Sequence, residues 1–389
     1  MKADIKRIFH TVGQGAFYSE SHEGFNVVYD CGNWKNSRVS TDIVKNAFAK
    51  GEVIDILYIS HFDYDHVNKI RVLANNCIIK KVIMPLLSDD EKNIITNIYR
   101  MLRFNVLNLI NKPEIFFGPR TKIIKVRPAG ENHVDRKEEP EFINVEDLNS
   151  GFVDSGTIIK LSLTKYNWLF IPYNYENAKR RTELENTLVA EGFSHADIYK
   201  MKNDPLFTLH EIIKDVSLSK NKGGKVFSKI YSSLSGGINQ NSMLLFSGVN
   251  DNELKIKQYI NYELRNPKKF ERNFLYRNFN LTRKGKNIGK VSCIYTGDAD
   301  LNLIDLDAIF GSYTCLLGTI QLPHHGAKSN FDFSLLTNVH YFLPVSVGLN
   351  NTYLHPSNCI IRQAIKKGST PIFITENESS KFTQEYWIR

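Results

Sequence analysis

Residues 60–66 read Ser60-His61-Phe62-Asp63-Tyr64-Asp65-His66, so two histidines and two aspartates fall within six residues. Imidazole nitrogens and carboxylate oxygens are the donors that hard and borderline divalent cations take. An Asp-x-Asp between two histidines is costly to hold together unless a cation offsets its charge. A solvated turn with coincidental charges is the plain alternative.

Three later stretches carry the same residue types to the ends of apolar runs. Residues 291–295 lead into Thr296-Gly297-Asp298-Ala299-Asp300, and residues 315–322 lead into Pro323-His324-His325-Gly326. Residues 341–347 lead into Gly348, Asn350, Asn351 and then His355-Pro356. Bringing ligands to successive strand ends is how an α/β scaffold assembles a site. Four such clusters point to one shared metal centre. Asn239 and Asn241 precede the run Met243-Leu244-Leu245-Phe246 and can reach that centre, although an asparagine before a strand is more often a turn former. Gly13-Gln14-Gly15 lets the backbone approach a neighbour closely, yet it lacks the third glycine and the strand-to-helix context of a dinucleotide site.

The elements that must position these residues follow from pattern. Residues 54–59 are apolar, β-branched and bounded by Gly51 and the polar cluster, which predicts a buried strand. Strands are also predicted over 5–9, 16–19, 25–30 and 78–85, and helices over 41–50 and 67–74. Alternating strands and helices predict an α/β protein with sheets covered by helices. From 88 to 230 the signals loosen. A helix is predicted over 89–107, a charged loop over 131–149, strands over 157–163 and 168–171, and helix again over 177–214. This stretch reads as an elaboration within one domain spanning 1–389. Residues 250–290 read as a second insertion: within 255–290, eleven Lys and Arg face two Glu, with six Tyr and Phe interleaved. That basic and aromatic mix suits a phosphate backbone and its bases. An amphipathic segment with buried aromatics and solvated lysines is the alternative.

The chain has 389 residues, 42% hydrophobic and 23% charged, as expected of a globular protein. A net charge of +9 favours an anionic partner such as nucleic acid. The five cysteines lack CxxC spacing, so a cysteine-based zinc site is not expected. No apolar run approaches the roughly 18 residues of a membrane span. Residues 1–4 enter a strand-like pattern without a signal-peptide core. A cytoplasmic location is expected.

The motif at 61–66 resembles the His-x-His-x-Asp-His loop of metallo-β-lactamase-fold hydrolases, with Asp63 in place of the second histidine. Together with Val12-Gly13-Gln14-Gly15, Thr296-Gly297-Asp298-Ala299, Pro323-His324-His325-Gly326 and the 346–356 stretch, it resembles the hydrolase domain of the DNA-uptake protein ComEC and its free-standing relatives. The resemblance implies an αββα sandwich with large insertions and a metal site at one edge between two sheets. It implies metal ligands at His61, Asp63, Asp65, His66, Asp298 and His324, and catalytic roles for Asp65, His325 and His355. Which of His324 and His325 faces the metal stays open. Asn239 falls where many members carry a further histidine ligand; Asn239, Lys328, Asn351, Lys268, Lys269 and Arg272 are the candidate substrate contacts. Ala16, Leu349 and Leu354 stand where such proteins often have Asp, Lys and Gly.

The implied activity is a metal-dependent phosphodiesterase, foremost a nuclease on DNA or RNA, using one or two divalent ions. The oxygen-rich donor set turns the expectation toward Mn2+ or Mg2+ beside Zn2+. A hydrolase of a small phosphodiester or nucleotide signal, and a non-catalytic binding module, are the alternatives. Nucleic acid is the expected partner; no protein partner is named by the residues.

Overall fold

The apolar runs of this chain pair into two large sheets. A computed structural model describes residues 2–35, 37–129, 141–207, 230, 239, 241–250, 256–263, 280–286, 290–336, 339–352 and 354–388. Its strands begin with β1 (Ile5–Phe9), β2 (Phe17–His22), β3 (Phe25–Cys31), β4 (Val53–Tyr58) and β5 (Ile78–Pro85). They continue with β6 (Lys122–Val126), β7 (Phe142–Asn144), β8 (Gly151–Val153), β9 (Ile158–Ser162) and β10 (Asn167–Glu176). Next come β11 (Asn241–Val249), β12 (Ile256–Glu263), β13 (Asn280–Lys286) and β14 (Ser292–Tyr295). The last are β15 (Leu317–Ile320), β16 (Phe342–Ser346), β17 (Thr370–Ile374) and β18 (Phe382–Ile388). The helices are α1 (Arg38–Asn46), α2 (Tyr64–Val67), α3 (Ile70–Asn76), α4 (Asp89–Met101), α5 (Leu107–Asn111) and α6 (Pro113–Phe117). They are followed by α7 (Ala178–Ala190), α8 (His195–Asn203), α9 (Leu306–Phe310) and α10 (Asn358–Lys366).

The first sheet has the order β13-β12-β18-β1-β2-β3-β4-β5-β6-β8, and the second β17-β16-β15-β14-β11-β10-β9-β7. Each contains a parallel block: β3-β4-β5-β6-β8 in the first and β14-β15-β16-β17 in the second. Strands inside a parallel block are buried on both faces and read as continuous apolar runs, as β4 does.

Three apolar cores define the layers. In the first, Val28, Leu57 and Val82 meet Val44 of α1, Ile95 of α4 and Leu188 of α7. In the second, Tyr29 and Ile56 of one sheet face Phe170 and Tyr295 of the other. In the third, Phe246 and Leu343 meet Phe310 of α9 and Ile360 and Ile361 of α10. Helix, sheet, sheet, helix is the αββα sandwich. Each fully buried large side chain contributes roughly 1.5–3 kcal/mol, so these cores dominate the stability.

The middle of the chain departs from the expectation. The stretch read as an elaboration supplies β6 and β8 to the first sheet and β7, β9 and β10 to the second. The helical stretch expected over 177–214 forms two helices, α7 and α8, within its described part, and residues 208–214 lie outside the described residues. Gly192 takes a φ of +95°, and Ser194 with Asp197 forms a capping box that starts α8 afresh. The basic segment contains a hairpin, β12 with β13, at the edge of the first sheet. Along β12, Ile256, Ile260 and Tyr262 enter the inter-sheet core while Lys257 and Asn261 face solvent. Registers Phe17↔Cys31, Phe9↔Tyr18, Phe9↔Phe382 and Asn261↔Thr383 carry the strand ends across the sheet. The end of β12 and the start of β13 therefore lie at the same margin as the end of β3.

A polar network sits inside the inter-sheet core. Arg7 on β1 is fully buried and its Nε donates to Glu20 Oε1 on β2 at 2.7 Å. Glu20 also accepts from Ser247 of the second sheet at 2.6 Å and from Tyr295 at 2.8 Å. Burial alone would raise the Glu20 carboxyl, but Arg7 and then His22 outweigh it and hold it well below the usual range. A carboxyl depressed in the folded state stabilises above its unfolded pKa of about 4.3, and that contribution is lost as pH falls. Glu20→Gln leaves the Arg7 guanidinium buried without its counter-charge. We expect a loss of about 3–5 kcal/mol in denaturant unfolding at pH 7, shrinking as the pH is lowered below 4.

Candidate metal centre

The site begins where β3 and β4 end side by side. Asp30 stands one residue before the end of β3 with a φ of +55°, a left-handed conformation that aspartate tolerates better than most residues. Its carboxylate accepts from Ser60 N at 2.7 Å, Ser60 Oγ at 2.6 Å and His66 Nδ1 at 2.8 Å. A carboxylate only accepts, so His66 Nδ1 carries the proton and Nε2 is turned inward. Ser60 Oγ has given its hydrogen to Asp30, so it accepts from His61 Nδ1 at 2.8 Å. His61 Nε2 is turned inward by the same logic. A carboxylate behind a histidine is the usual support of a metal-binding imidazole.

The loop itself is pressed against two glycines. A β-carbon on Gly32 would lie 2.3 Å from the Asp65 carbonyl oxygen, and one on Gly15 would lie 2.8 Å from it. Ala16 N donates to that carbonyl at 3.2 Å. Of the two glycines in Gly13-Gln14-Gly15, Gly15 packs against Gly32, Asn33 and the Asp65 carbonyl of this loop, while Gly13 faces the Glu376 side chain. Asp63 is the N-cap residue of α2, and Asp65 and His66 lie in that short helix.

The second sheet supplies the other half. Asp298 follows β14; its backbone N donates to Ser242 Oγ at 3.1 Å, and its carbonyl accepts from Arg180 Nη2 at 2.7 Å. His324 and His325 follow β15 with φ of +47° and +53°. His325 Nδ1 bonds the Ser346 carbonyl at 2.8 Å, and its Nε2 lies 3.0 Å from Asp65 Oδ2. His324 Nε2 stands 4.0 Å from Asp298 Oδ2.

Two donor groups converge on His66: His61, His66 and Asp298, and Asp65, His66 and His325, each with its atoms within 4.8 Å. The chemistry fits a cation. His61 Nε2, His66 Nε2 and Asp298 Oδ1 are buried atoms with no hydrogen-bond partner. His66 Nε2 is 3.3 Å from Asp298 Oδ1, and His61 Nε2 is 3.7 Å from Asp298 Oδ2 and 3.6 Å from Asp63 Oδ2. Ligands about 2.1 Å from one tetrahedral ion stand about 3.4 Å apart, the spacing found here. Burial and His66 lower the His61 imidazole, but Asp298 and Asp63 override both and push it up to about 9. Burial alone would raise Asp298; His324 and His66 hold it well below the ordinary carboxylate range. The acids thus draw positive charge into the centre, as protons or as a divalent cation.

No protein-family model matches this chain, and no curated protein matches it. Among solved structures, it is similar to the metallo-β-lactamase fold protein YhfI from Bacillus subtilis, at 10% identity and a TM-score of 0.23. That match covers 45% of this chain and 54% of YhfI. It is also similar to the short form of human tRNase Z, at 12% identity and a TM-score of 0.24, over 44% of this chain and 61% of that one. The chain therefore spans less than two thirds of the length of either.

The remaining expected residues lie around this core. Asn239 is buried; its Nδ2 donates to Asp63 Oδ1, and its Oδ1 accepts from Phe62 N at 3.4 Å. It stands behind Asp63, with its amide engaged there. Asn351 clamps its own loop, donating to the Gly348 and His355 carbonyls at 2.8 and 2.9 Å. The His355 ring lies 5.7 Å from that of His324, and burial followed by the charges of His325 and His324 lowers it to about 3. Lys328 is exposed on the turn after the histidine pair. Lys268, Lys269 and Arg272 lie outside the described residues.

Three contributors escaped the sequence reading. Asp30 is one, although a carboxylate ending a strand beside a ligand loop was its signal. Tyr99 on α4 is another; its single hydroxyl hydrogen lies between two acceptors, the Phe62 carbonyl at 2.9 Å and Asp63 Oδ1 at 3.0 Å. Arg180 on α7 is the third, tying the Asp298 carbonyl to that of Asn239, the latter at 3.4 Å. Neither helix carries a local motif that announces the contact.

Asp30→Asn keeps a residue that tolerates the left-handed backbone but removes the charge and replaces one of the two oxygens that orient His66 and Ser60 with an NH2 donor. We expect Mn2+ affinity measured by calorimetry to fall 10–100-fold, with the fold retained by circular dichroism. A loss under threefold would show that other groups orient these histidines.

Proposed function

We propose that this chain is a metal-dependent phosphodiesterase acting on nucleic acid, related to the ComEC-like hydrolases. The observation that carries the reading is the double donor set, two carboxylates and three histidines gathered from the strand ends of two sheets, with Asp63 and His324 beside it. Its oxygen content favours Mn2+ or Mg2+ over a zinc-only site. His61, Asp63, His66 and Asp298 would hold one ion, and Asp65, His325 and His324 complete the centre on the side of Asp298 and His355. When bound, a divalent ion lowers the pKa of water and polarises a phosphoryl oxygen.

The protein's own residues do the rest. Asp30 and Ser60 fix the two imidazoles, so their donor atoms need no reorganisation. Asp65 and His325 share a 3.0 Å contact, which suits them to hold a proton between water and leaving oxygen. His324 and His355 are the more accessible groups beside Asp298, and they face an incoming phosphate. Asn351 supports this side by shaping the loop that carries His355, and exposed Lys328 offers a positive charge near it.

Strand placement favours nucleic acid. Residues 264–279 include Lys268, Lys269 and Arg272, and the strands on either side of them end at the margin that holds Asp30. A second reading, hydrolysis of a small phosphodiester, is favoured by α4 and α7, whose Tyr99 and Arg180 wall the site from behind.

A cleavage panel separates the two. Protein loaded with Mn2+, Mg2+ or Zn2+ is expected to cut DNA or RNA, and Asp65→Ala combined with His66→Ala to abolish cutting. Turnover of a chromogenic phosphodiester without nucleic-acid binding selects the second reading; inertness on all of them overturns both. If Lys268, Lys269 and Arg272 each meet a phosphate, changing all three to Ala lowers the slope of log affinity against log salt by about 3 on duplex DNA. An unchanged slope removes them from the interface.

A further inference from the structure

We propose that Leu354 is a specificity residue of this site, packing its isobutyl group against the nucleobase beside the scissile phosphodiester. The inference rests on the nuclease reading above and adds to it the part of the substrate that is recognised.

The argument starts from backbone strain. Among the described residues, six that are not glycine take a positive φ: Glu23, Asp30, Arg103, His324, His325 and Leu354. Glu23 turns the β2–β3 hairpin, and Arg103 follows the end of α4. Of the other four, Asp30, His324 and His325 lie at the candidate metal centre, and Leu354 directly precedes His355, whose ring neighbours that of His324. Strained backbone persists where the surroundings over-determine it, and it gathers at functional sites. For three of the four the use is visible. Asp30 supports His66 and Ser60, His325 meets Asp65, and His324 is aimed toward Asp298.

Leu354 has no such use inside the protein. Its φ is +59°, a conformation that disfavours any residue with a β-carbon. Its side chain is 83% exposed, the most of any large apolar residue described, so it gains no packing in return. The loop nonetheless enforces this pose. Asn351 Oδ1 accepts from His355 N at 3.1 Å while Asn351 Nδ2 donates to the carbonyls of Gly348 and His355. Gly348 N in turn donates to Gln14 Oε1 at 3.1 Å, which ties the loop to the turn beneath residues 61–66. An apolar side chain is thus held out in solvent one residue before His355, whose ring neighbours His324. Next to a phosphodiester, the apolar surface on offer is the face of a base. Leucine is among the side chains that proteins insert between bases.

The test uses Mn2+-loaded full-length protein and two oligonucleotides, one intact and one with an abasic residue next to the cleaved bond. Wild type is expected to prefer the intact strand. Leu354→Gly, which relieves the backbone, is expected to keep or raise Tm and to raise KM for the intact strand roughly tenfold, the scale of one lost base contact, with KM for the abasic strand little changed. Leu354→Asn, also at ease with positive φ, should lose the same discrimination, and Leu354→Met should keep it. A wild-type preference that survives in Leu354→Gly, or no preference in wild type, overturns this inference while leaving the nuclease reading intact. Wild type inert on both strands overturns the two together.

Discussion

The first half of the candidate metal centre depends on what the Asp30 carboxylate accepts. One side chain from the end of β3 takes hydrogens from the backbone and hydroxyl of Ser60 and from His66 Nδ1. Through Ser60 it also decides the hydrogen on His61. Two imidazoles thereby present their lone pairs inward before any cation arrives. The ligand loop has only one turn of helix and no core of its own, so this support must come from outside it. It comes from the neighbouring parallel strand, which is paired to β4 over its last residues, Tyr29 opposite Tyr58. The positive φ at Asp30 is the local cost of turning a strand-end carboxylate back under its neighbour.

The other half of the centre belongs to a different sheet, so the two sheets must be held in register with each other. Apolar faces can slide; a directional polar contact resists sliding. Glu20 receives Arg7 from its own sheet and Ser247 and Tyr295 from the opposite one. Tyr295 is the last residue of β14, three positions before Asp298. Ser247 lies on β11, whose first residues include Ser242, the acceptor for Asp298 N. The strands that the core network pins are therefore the strands that carry the second set of donors. Tyr29 adds a further tie, its hydroxyl donating to the Met243 carbonyl one residue before Asp30 begins its work.

The legibility of this site in the sequence was uneven for physical reasons. Ligand-rich strand ends stand out because short apolar runs and clustered donors are local patterns. Asp63, Asp65, His66, Asp298 and the histidine pair all came from such patterns, and the structure brings them together. Asp30 did not, because one carboxylate before Cys31-Gly32 reads as an ordinary turn. Tyr99 and Arg180 did not, because their contacts cross 36 and 118 residues and leave no spacing to detect. The layered α/β architecture followed from alternation, but the five strands between residues 122 and 176 were assigned to an elaboration. Strand order depends on long-range pairing, and periodicity is silent about it. In the basic segment, the inward alternation of Ile256, Ile260 and Tyr262 accounts for part of the aromatic signal by burial.

Asn239 shows how one substitution in a donor set propagates. It is too well buried to meet a substrate, and its amide is held by Asp63 and Phe62. An amide donating to one carboxylate oxygen fixes which oxygen remains free to face the site. The shared Tyr99 hydrogen points to the same Oδ1. Both donors therefore leave Oδ2, the atom 3.6 Å from His61 Nε2, as the one turned to the centre. Asp63 and Asn239 thus act as a unit. Together they leave one oriented carboxylate oxygen facing the buried nitrogens of the site.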